Sequence, residues 1–166
     1  MRRVVILRPL VEEDSRFLAS LQTDPLFASH AGWRHSRTIA EGEGWWREQI
    51  ASPDPLLLRL LATVDDRPIG YVDLYGDDPH ERELGYAVGP SVLWGRGLAT
   101  AVARAGLDWG FERLRLNRIW AEVVSANIAS IRVLEKVGMR HIGRGADELF
   151  LGAPSHYERY EILRPT

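Results

Sequence analysis

Two glycines and an arginine stand in the stretch LWGRGLAT, residues 93–100, at the start of a segment with helical periodicity. The first N–H groups of a helix have no partner inside the helix, and the helix dipole favours negative charge at that end. Glycine lets a ligand approach the backbone because it carries no Cβ. The stretch is therefore compatible with two roles: a plain turn between a strand and a helix, or a phosphate-binding site.

Two well-known phosphate motifs do not match this stretch. A P-loop carries Lys-Ser/Thr after its glycines, whereas Leu98 and Ala99 follow Gly97 here. A dinucleotide-binding fingerprint fits poorly, since the stretch lies in the middle of the chain without a third glycine or an acid at the proper distance. The segments on either side must decide between the two roles.

Composition excludes several other kinds of site. The 166 residues contain no cysteine, so disulfides, thiolate zinc sites and thiol nucleophiles are excluded. The net charge of −2 gives no broad attraction to nucleic acid or to an anionic membrane. Arg59 interrupts the most apolar stretch, PLLLRLLATV, which is far too short to span a membrane. We expect a cytoplasmic protein with no nucleic-acid or membrane partner. We also expect no metal site, because metal-ligand spacing is absent from the five histidines, His30, His35, His80, His141 and His156.

Hydrophobic periodicity predicts about seven strands and about four helices in one domain of residues 1–166. The strands are expected at 4–7, 56–64, 69–75, 83–88, 118–124, 139–145 and 156–163. The helices are expected at 11–22, 39–50, 96–114 and 127–138. Residues 23–39 are expected to be irregular or partly helical. Thr38 and Asn127 are the expected N-caps of two helices, and the final strand is expected to be exposed and able to pair across a homodimer.

The segments around the glycines resemble the GNAT family of N-acetyltransferases. The resemblance is carried by ELGYAVGP at 83–90, WGRGLATAVARAGLDWGFERL at 94–114 and NIASIRVLEKVGM at 127–139, in that order. It is strongest to the branch that includes ribosomal-protein N-terminal and spermidine N-acetyltransferases. LRPLVEED at 7–14 and YERYEIL at 157–163 also suit this branch, so the resemblance covers nearly the whole chain and is weakest at 23–55.

The resemblance implies an α/β (α+β) fold with a mixed, mostly antiparallel, splayed sheet that holds acetyl-CoA between its fourth and fifth strands. It implies pyrophosphate binding by the backbone N–H groups of Arg96, Gly97, Leu98, Ala99 and Thr100. It implies pairing of the pantetheine arm with the backbone of Tyr86, Ala87 and Val88, where the Val88 amide would polarise the thioester carbonyl. Asn127 and Ser130 would face the cofactor, although Asn127 also suits a plain N-cap. Trp94 departs from the Arg or Gln that begins the family's glycine signature.

Acid and base candidates follow from the chemistry of amine acetylation. Many relatives carry a tyrosine seven residues after the asparagine, which protonates the leaving thiolate, but Leu134 stands there in this chain. Ser130 is the substitute acid by position, though a serine hydroxyl is a poor acid. Glu83 is the first candidate for the base, and the alternatives are Glu81, Asp73 and Glu122. Each of these acids also suits a solvated strand end.

Two tryptophans in GWWREQI cannot share one face of a helix, so we expect one in the core and one at a substrate opening. Trp33, Trp46 and Asp73 are the expected substrate contacts. The expected substrate is a primary amine: a protein or peptide N-terminus, a polyamine, an amino sugar or another small amine. A second hypothesis, favoured by Leu134, is a non-catalytic acyl-CoA-binding or sensing domain. A third is a different α/β nucleotide-binding protein.

Overall fold

The computed structural model describes residues 4–33 and 38–166. Seven strands form one sheet in the order β1-β2-β3-β4-β5-β7-β6. All neighbouring strands are antiparallel except β4 and β5, which are parallel. The predicted mixed and mostly antiparallel sheet of seven strands is therefore confirmed. The strands are β1 Ile6–Pro9, β2 Leu57–Val64, β3 Arg67–Tyr75, β4 Glu81–Val88, β5 Arg118–Val124, β6 Arg140–Phe150 and β7 Ala153–Leu163.

The described residues contain five α-helices, one more than the four or so predicted: α1 Asp14–Leu21, α2 Pro25–Ala31, α3 Ile39–Ala51, α4 Leu98–Glu112 and α5 Ile128–Lys136. The additional helix is α2, in the segment predicted to be irregular or partly helical. Asp24 caps it by accepting hydrogen bonds from the N–H groups of Leu26 and Phe27, both at 3.1 Å, and Pro25 occupies its first position. None of the described helices is long and apolar enough to cross a membrane.

The last strand lies inside the sheet, so the prediction of an exposed final strand at 156–163 is wrong. β7 pairs with β5 on one side and with β6 on the other, which leaves β1 and β6 as the edges. Only Leu151 and Gly152 separate β6 from β7, and both have positive φ, at 51° and 80°. A two-residue turn of this kind joins a tight hairpin, so both strands extend beyond the predicted 139–145 and 156–163.

Helices cover both faces of the sheet. α4 and α5 pack on one face over a core that includes Val72, Leu84, Val102 and Leu134. On the opposite face, α1, α2 and α3 contribute to a second apolar cluster with side chains of the sheet. Its buried members are Leu18, Ala19, Leu21, Phe27, Trp46 and Tyr71. These two faces are called the α4/α5 face and the α1–α3 face below.

Gly106 allows α4 to lie close to the sheet. A Cβ at this position would lie 2.8 Å from Val72 Cγ1 and 3.0 Å from Leu84 Cδ1. We expect Gly106→Ala to lower the free energy of unfolding by about 1–3 kcal/mol, because the added methyl overpacks the core. Urea denaturation measures this change.

Gly44 in α3 provides the matched control, since a Cβ there would meet no atom within 4 Å. Gly44→Ala should raise the free energy of unfolding by about 0.5–1 kcal/mol through helix propensity alone. Equal effects of the two substitutions would show that the contact between α4 and the sheet is not close.

Candidate functional site

β4 and β5 diverge after a short parallel contact. Only Glu81–Glu83 pair with Arg118–Trp120, while β4 continues to Val88 and β5 continues to Val124. The later halves of both strands stay paired on their outer sides, with β3 and β7. The gap between residues 84–88 of β4 and 121–124 of β5 is called the notch below.

Backbone groups of β4 point alternately into the notch and toward β3. The Gly89 N–H donates to the Ile69 carbonyl on β3 at 2.9 Å, so the alternation of an antiparallel ladder directs the backbone groups of Ala87 toward β3 as well. The N–H and C=O groups of Tyr86 and Val88 therefore face the notch. Ala87, expected from the sequence to offer its backbone to a ligand, instead pairs with Tyr71 on β3.

Trp94 satisfies one of the two Val88 groups. Its indole Nε1–H donates to the Val88 carbonyl oxygen at 2.6 Å. The Val88 N–H is then the group that this residue offers to the notch. Trp94, near the start of the glycine stretch, thus forms a hydrogen bond to the end of β4, which was not predicted from the sequence.

The N-terminus of α4 has the properties of an anion site. No side chain caps it, and the Ala101 N–H donates to the Gly97 carbonyl at 3.2 Å, so the amides of Leu98, Ala99 and Thr100 precede the first intrahelical bond. Gly95 and Gly97 both have a φ of +75° and are exposed. A Cβ on either would meet no atom within 4 Å. These glycines are therefore explained by their positive φ and not by close packing, and the space next to the backbone is open.

α5 begins on the same face of the sheet as α4. Asn127 caps it as predicted, because its Oδ1 accepts a hydrogen bond from the Ser130 N–H at 3.2 Å. The Tyr86 hydroxyl donates to the Ser130 carbonyl oxygen at 3.3 Å and so connects β4 to α5. Burial raises the pKa of the Tyr86 hydroxyl to about 12, and the hydrogen bond to Ser130 offsets part of that rise. Leu134 is only 1% exposed and belongs to the core.

Glu83 lies on the α1–α3 face at the point where β4 and β5 part. Its carboxylate has no ion-pair partner within 4 Å among residues 4–33 and 38–166. Burial raises the pKa of the Glu83 carboxyl, the negative charge of Glu122 raises it further, and Arg159 offsets part of the rise. Glu83 is therefore a half-buried carboxylate whose proton affinity is increased, which suits a general base.

The alternative acids are engaged by arginines. The carboxylate of Asp73 accepts two hydrogen bonds from Arg59, both at 2.6 Å. Glu81 pairs with Arg118 at 2.9 Å. Glu122 pairs with Arg159 at 2.7 Å. Each of these three carboxylates therefore has an arginine partner, whereas Glu83 has none within 4 Å in the part of the chain that the structure describes.

An aromatic pocket of about 230 Å³ opens on the α1–α3 face. Trp46 is 4% exposed and belongs to the second apolar cluster, whereas Trp45 is 37% exposed, so one tryptophan of the pair is in the core as predicted. Trp33 also lines the pocket, but Asp73 reaches it only through its ion pair with Arg59. Its lining residues are Gln22, Trp33, Gly42, Trp45, Trp46, Arg59 and Tyr71.

Sequence reasoning missed three of these side chains. Arg59 and Tyr71 in the pocket and the hydroxyl of Tyr86 at the notch were not predicted as site groups. One signal for them was available in the sequence. Arg59 is a charged residue inside an apolar strand, and a charged side chain is buried only when it has a partner, so its position indicates a buried ion pair. In the part of the chain that the structure describes, no group of three or more His, Cys, Asp or Glu side chains could hold a metal ion. His35 lies outside that part.

Comparison with known proteins gives a consistent family assignment. A family model described as an acetyltransferase (GNAT) domain matches residues 4–140. The uncharacterized N-acetyltransferase p20 of Bacillus licheniformis is 38% identical over 146 residues, which cover 82% of this chain and 79% of that protein. The uncharacterized N-acetyltransferase YnaD of Bacillus subtilis (strain 168) is 36% identical over 92 residues, 54% of this chain. The matched segment spans only 50% of YnaD.

A solved structure shows the same fold. The spermidine N-acetyltransferase of Vibrio cholerae, in complex with CoA and spermine, superposes with a TM-score of 0.80 at 23% identity. The superposition covers 96% of this chain and 95% of that one. At this identity, the likeness establishes the fold and not the substrate.

Proposed function

This chain belongs to the acetyltransferase (GNAT) family, and on that premise we propose that residues 1–166 form one catalytic domain that transfers an acetyl group from acetyl-CoA to a primary amine. The observation that carries the proposal is the notch beside the uncapped N-terminus of α4. An extended arm can pair with the Tyr86 and Val88 backbone in the notch, while a pyrophosphate occupies the helix end. The donor set fits acetyl-CoA because it supplies backbone N–H groups to both parts of that molecule.

The proposed cofactor contacts come from three elements. The amides of Leu98, Ala99 and Thr100, with those of Arg96 and Gly97 before them, hold the pyrophosphate. The Val88 N–H donates to the carbonyl oxygen of the thioester and stabilises the negative charge that develops there. Asn127 and Ser130 at the start of α5 border the pantetheine arm from the α4/α5 face.

Acetyl transfer forms a bond from the amine nitrogen to the acyl carbon as the bond from that carbon to sulfur breaks. Glu83 takes a proton from the amine through intervening water, because it precedes Val88 by five residues of extended strand, about 16 Å. Its raised pKa favours proton uptake, and no described residue forms an ion pair with it. The proton that the thiolate gains comes from a hydroxyl at the notch. Two hydroxyls are available, that of Ser130, as expected from the sequence, and that of Tyr86.

An assay for free thiol tests the function directly. Purified protein with acetyl-CoA and a panel of primary amines should release CoA thiol, and mass spectrometry should find the acetylated amine. The second candidate is an acyl-CoA-binding domain without turnover, favoured by the burial of Leu134 where many relatives carry an acid. Saturable binding of acetyl-CoA without transfer to any amine would select that candidate.

Tyr86→Phe should lower kcat by about tenfold or more and change the KM for acetyl-CoA by less than about twofold. The phenol is the stronger acid of the two hydroxyls, because its pKa of about 12 is still well below that of an aliphatic alcohol. Steady-state kinetics measures both constants. Ser130→Ala is the matched removal of the other hydroxyl and should lower kcat by less than about threefold. The reverse order of the two effects would assign the proton to Ser130.

A further inference from the structure

We propose that the aromatic pocket selects an acceptor amine that carries an apolar group and a carboxylate, such as an aromatic amino acid, and that it disfavours polyamines. This inference rests on the proposed acetyltransferase function and names the acceptor class of that site. It is carried by Arg59, which lies among the aromatic rings of the pocket.

The pocket lies one strand away from the notch, on the same face as Glu83. Tyr71, which lines the pocket, is opposite Ala87 on β4, and Asp73 is opposite Gly85. Ala87 packs against the second apolar cluster, but Gly85 has no side chain, and a Cβ there would meet only Asp73 within 4 Å, so the open route across β4 passes over Gly85. An acceptor held in the pocket can therefore extend its amine across β4 toward the notch.

The ring faces of the pocket already bind a cation. The guanidinium carbon of Arg59 lies 4.8 Å from the ring centroid of Tyr71 and 5.1 Å from that of Trp46. These distances are typical of cation–π contacts. A cationic acceptor would have to displace Arg59 or approach its charge, whereas an apolar group can fill the remaining space. A volume of about 230 Å³ suits one small apolar group.

Arg59 retains a donor for a ligand. Its Nε and Nη2 atoms bind the Asp73 carboxylate at 2.6 Å, whereas Nη1 makes no hydrogen bond to any residue that the structure describes. No buried side-chain nitrogen or oxygen of the described residues lacks a hydrogen-bond partner. Nη1 is therefore reached by solvent, and it can donate to a carboxylate. Asp73 holds the guanidinium in place.

Free carboxylates for a polyamine are scarce on this face. Asp73 is bound by Arg59, Glu122 by Arg159, and Glu43 lies within 4 Å of both Arg16 and Arg47. Glu83 has no such partner among the residues that the structure describes, but it is half-buried, and its proposed role is to take a proton from the amine. A polyamine carries several positive charges and needs several unpaired acids. We therefore do not expect spermidine, the substrate named for the Vibrio cholerae protein, to be the preferred acceptor here.

Three acceptors test the proposal with the full chain: phenylalanine, phenethylamine, which lacks only the carboxylate, and spermidine. We expect kcat/KM for phenylalanine to exceed that for either other amine by about tenfold or more. Arg59→Met combined with Asp73→Asn removes the ion pair without leaving a lone buried charge. In this double variant, KM should rise about tenfold or more for phenylalanine and less than about twofold for phenethylamine, with kcat little changed.

The matched control is Arg8→Met combined with Asp14→Asn, which removes a second bidentate Arg–Asp ion pair. It should leave the preference for phenylalanine intact. Preference of the wild-type protein for spermidine, or equal changes for phenylalanine and phenethylamine in the Arg59 and Asp73 variant, would overturn the proposal.

A binding measurement separates this proposal from the function on which it rests. Three tryptophans line the pocket, so phenylalanine bound there should change their fluorescence, and the change should be lost in the Arg59 and Asp73 variant. If no amine is acetylated but this titration succeeds, the proposed function fails and the carboxylate site stands. If the titration gives no change in the wild-type protein, the carboxylate site is overturned.

Discussion

Glu83→Gln should lower kcat/KM by about 10²-fold at neutral pH, because a positioned general base contributes at least this much. Glutamine keeps the size and polarity of the side chain but cannot take a proton. Binding of acetyl-CoA should be unchanged, since the proposed cofactor contacts come from β4 backbone and from the starts of α4 and α5. Steady-state kinetics and a cofactor titration measure the two effects.

The role of Glu83 as a base also predicts how kcat/KM changes with pH. In the wild-type protein, kcat/KM should fall as pH drops through the raised pKa of Glu83, because the protonated carboxyl no longer accepts a proton. The variant should lack that limb of the profile. Its deficit should shrink at high pH, where more of the acceptor amine is already neutral.

Stability should change in the opposite direction to activity. The pKa of Glu83 is raised in the folded protein, so the folded state binds this proton more tightly than the unfolded state does. Above the folded-state pKa, the charged carboxylate therefore destabilises the fold, and Glu83→Gln should raise the free energy of unfolding at neutral pH. The gain should vanish at low pH, where both states are protonated.

Glu81→Gln is the matched control, two residues away on the same strand and paired with Arg118. It should change kcat/KM by less than about threefold and leave the shape of the pH profile intact. If Glu83→Gln left the acidic limb in place, Glu83 would not be the base.

Thr100→Glu should weaken acetyl-CoA binding by about tenfold or more. The new carboxylate would stand in the first turn of α4, next to the proposed position of the pyrophosphate. Two like charges about 5 Å apart repel by roughly 1–3 kcal/mol at effective dielectric constants between those of water and a protein surface. The helix itself should be slightly stabilised, because an acid near a helix N-terminus is favourable. Calorimetric titration with CoA measures the loss.

This charge change is a sharper test than substitution of Gly97, whose φ of +75° makes any side chain strained. Ala40→Glu adds the same charge to the first turn of α3 at an exposed position and should leave CoA affinity unchanged. Added salt should reduce the loss caused by Thr100→Glu, because it screens charges near the surface. Unchanged CoA affinity in Thr100→Glu would contradict the placement of the pyrophosphate at α4.

Local sequence signals predicted those strands and helix caps that depend only on residues close together in the chain. β5 has the predicted bounds of 118–124, because alternating apolar residues mark a strand without reference to the rest of the chain. Thr38 and Asn127 cap α3 and α5 as expected, since a cap depends on residues only three positions apart. Helix α2 lies in the segment 23–39, which was predicted only as irregular or partly helical, although Asp24 and Pro25 are the same kind of local signal.

The acid and base candidates show the limit of such signals. The sequence ranked Glu83 first by its place at the head of a predicted strand, but Glu81, Asp73 and Glu122 stayed as alternatives. The structure separates them, because arginines pair with Asp73, Glu81 and Glu122, whereas Glu83 forms no ion pair with any residue in the described part of the chain. The arginine partner of Asp73 comes from the neighbouring strand, and no spacing rule predicts which face of a sheet two such residues share.

The sequence by itself determined the family, most of the helices and strands, and the glycine turn that begins α4, because these depend on motifs and on contacts between near neighbours. Only the tertiary structure decided that β7 lies inside the sheet, that β4 and β5 part after Glu83, and that the Arg59 guanidinium lies among the rings of an aromatic pocket. These features join residues separated by tens of positions, and packing of the whole chain selects among the alternatives that local propensity leaves open.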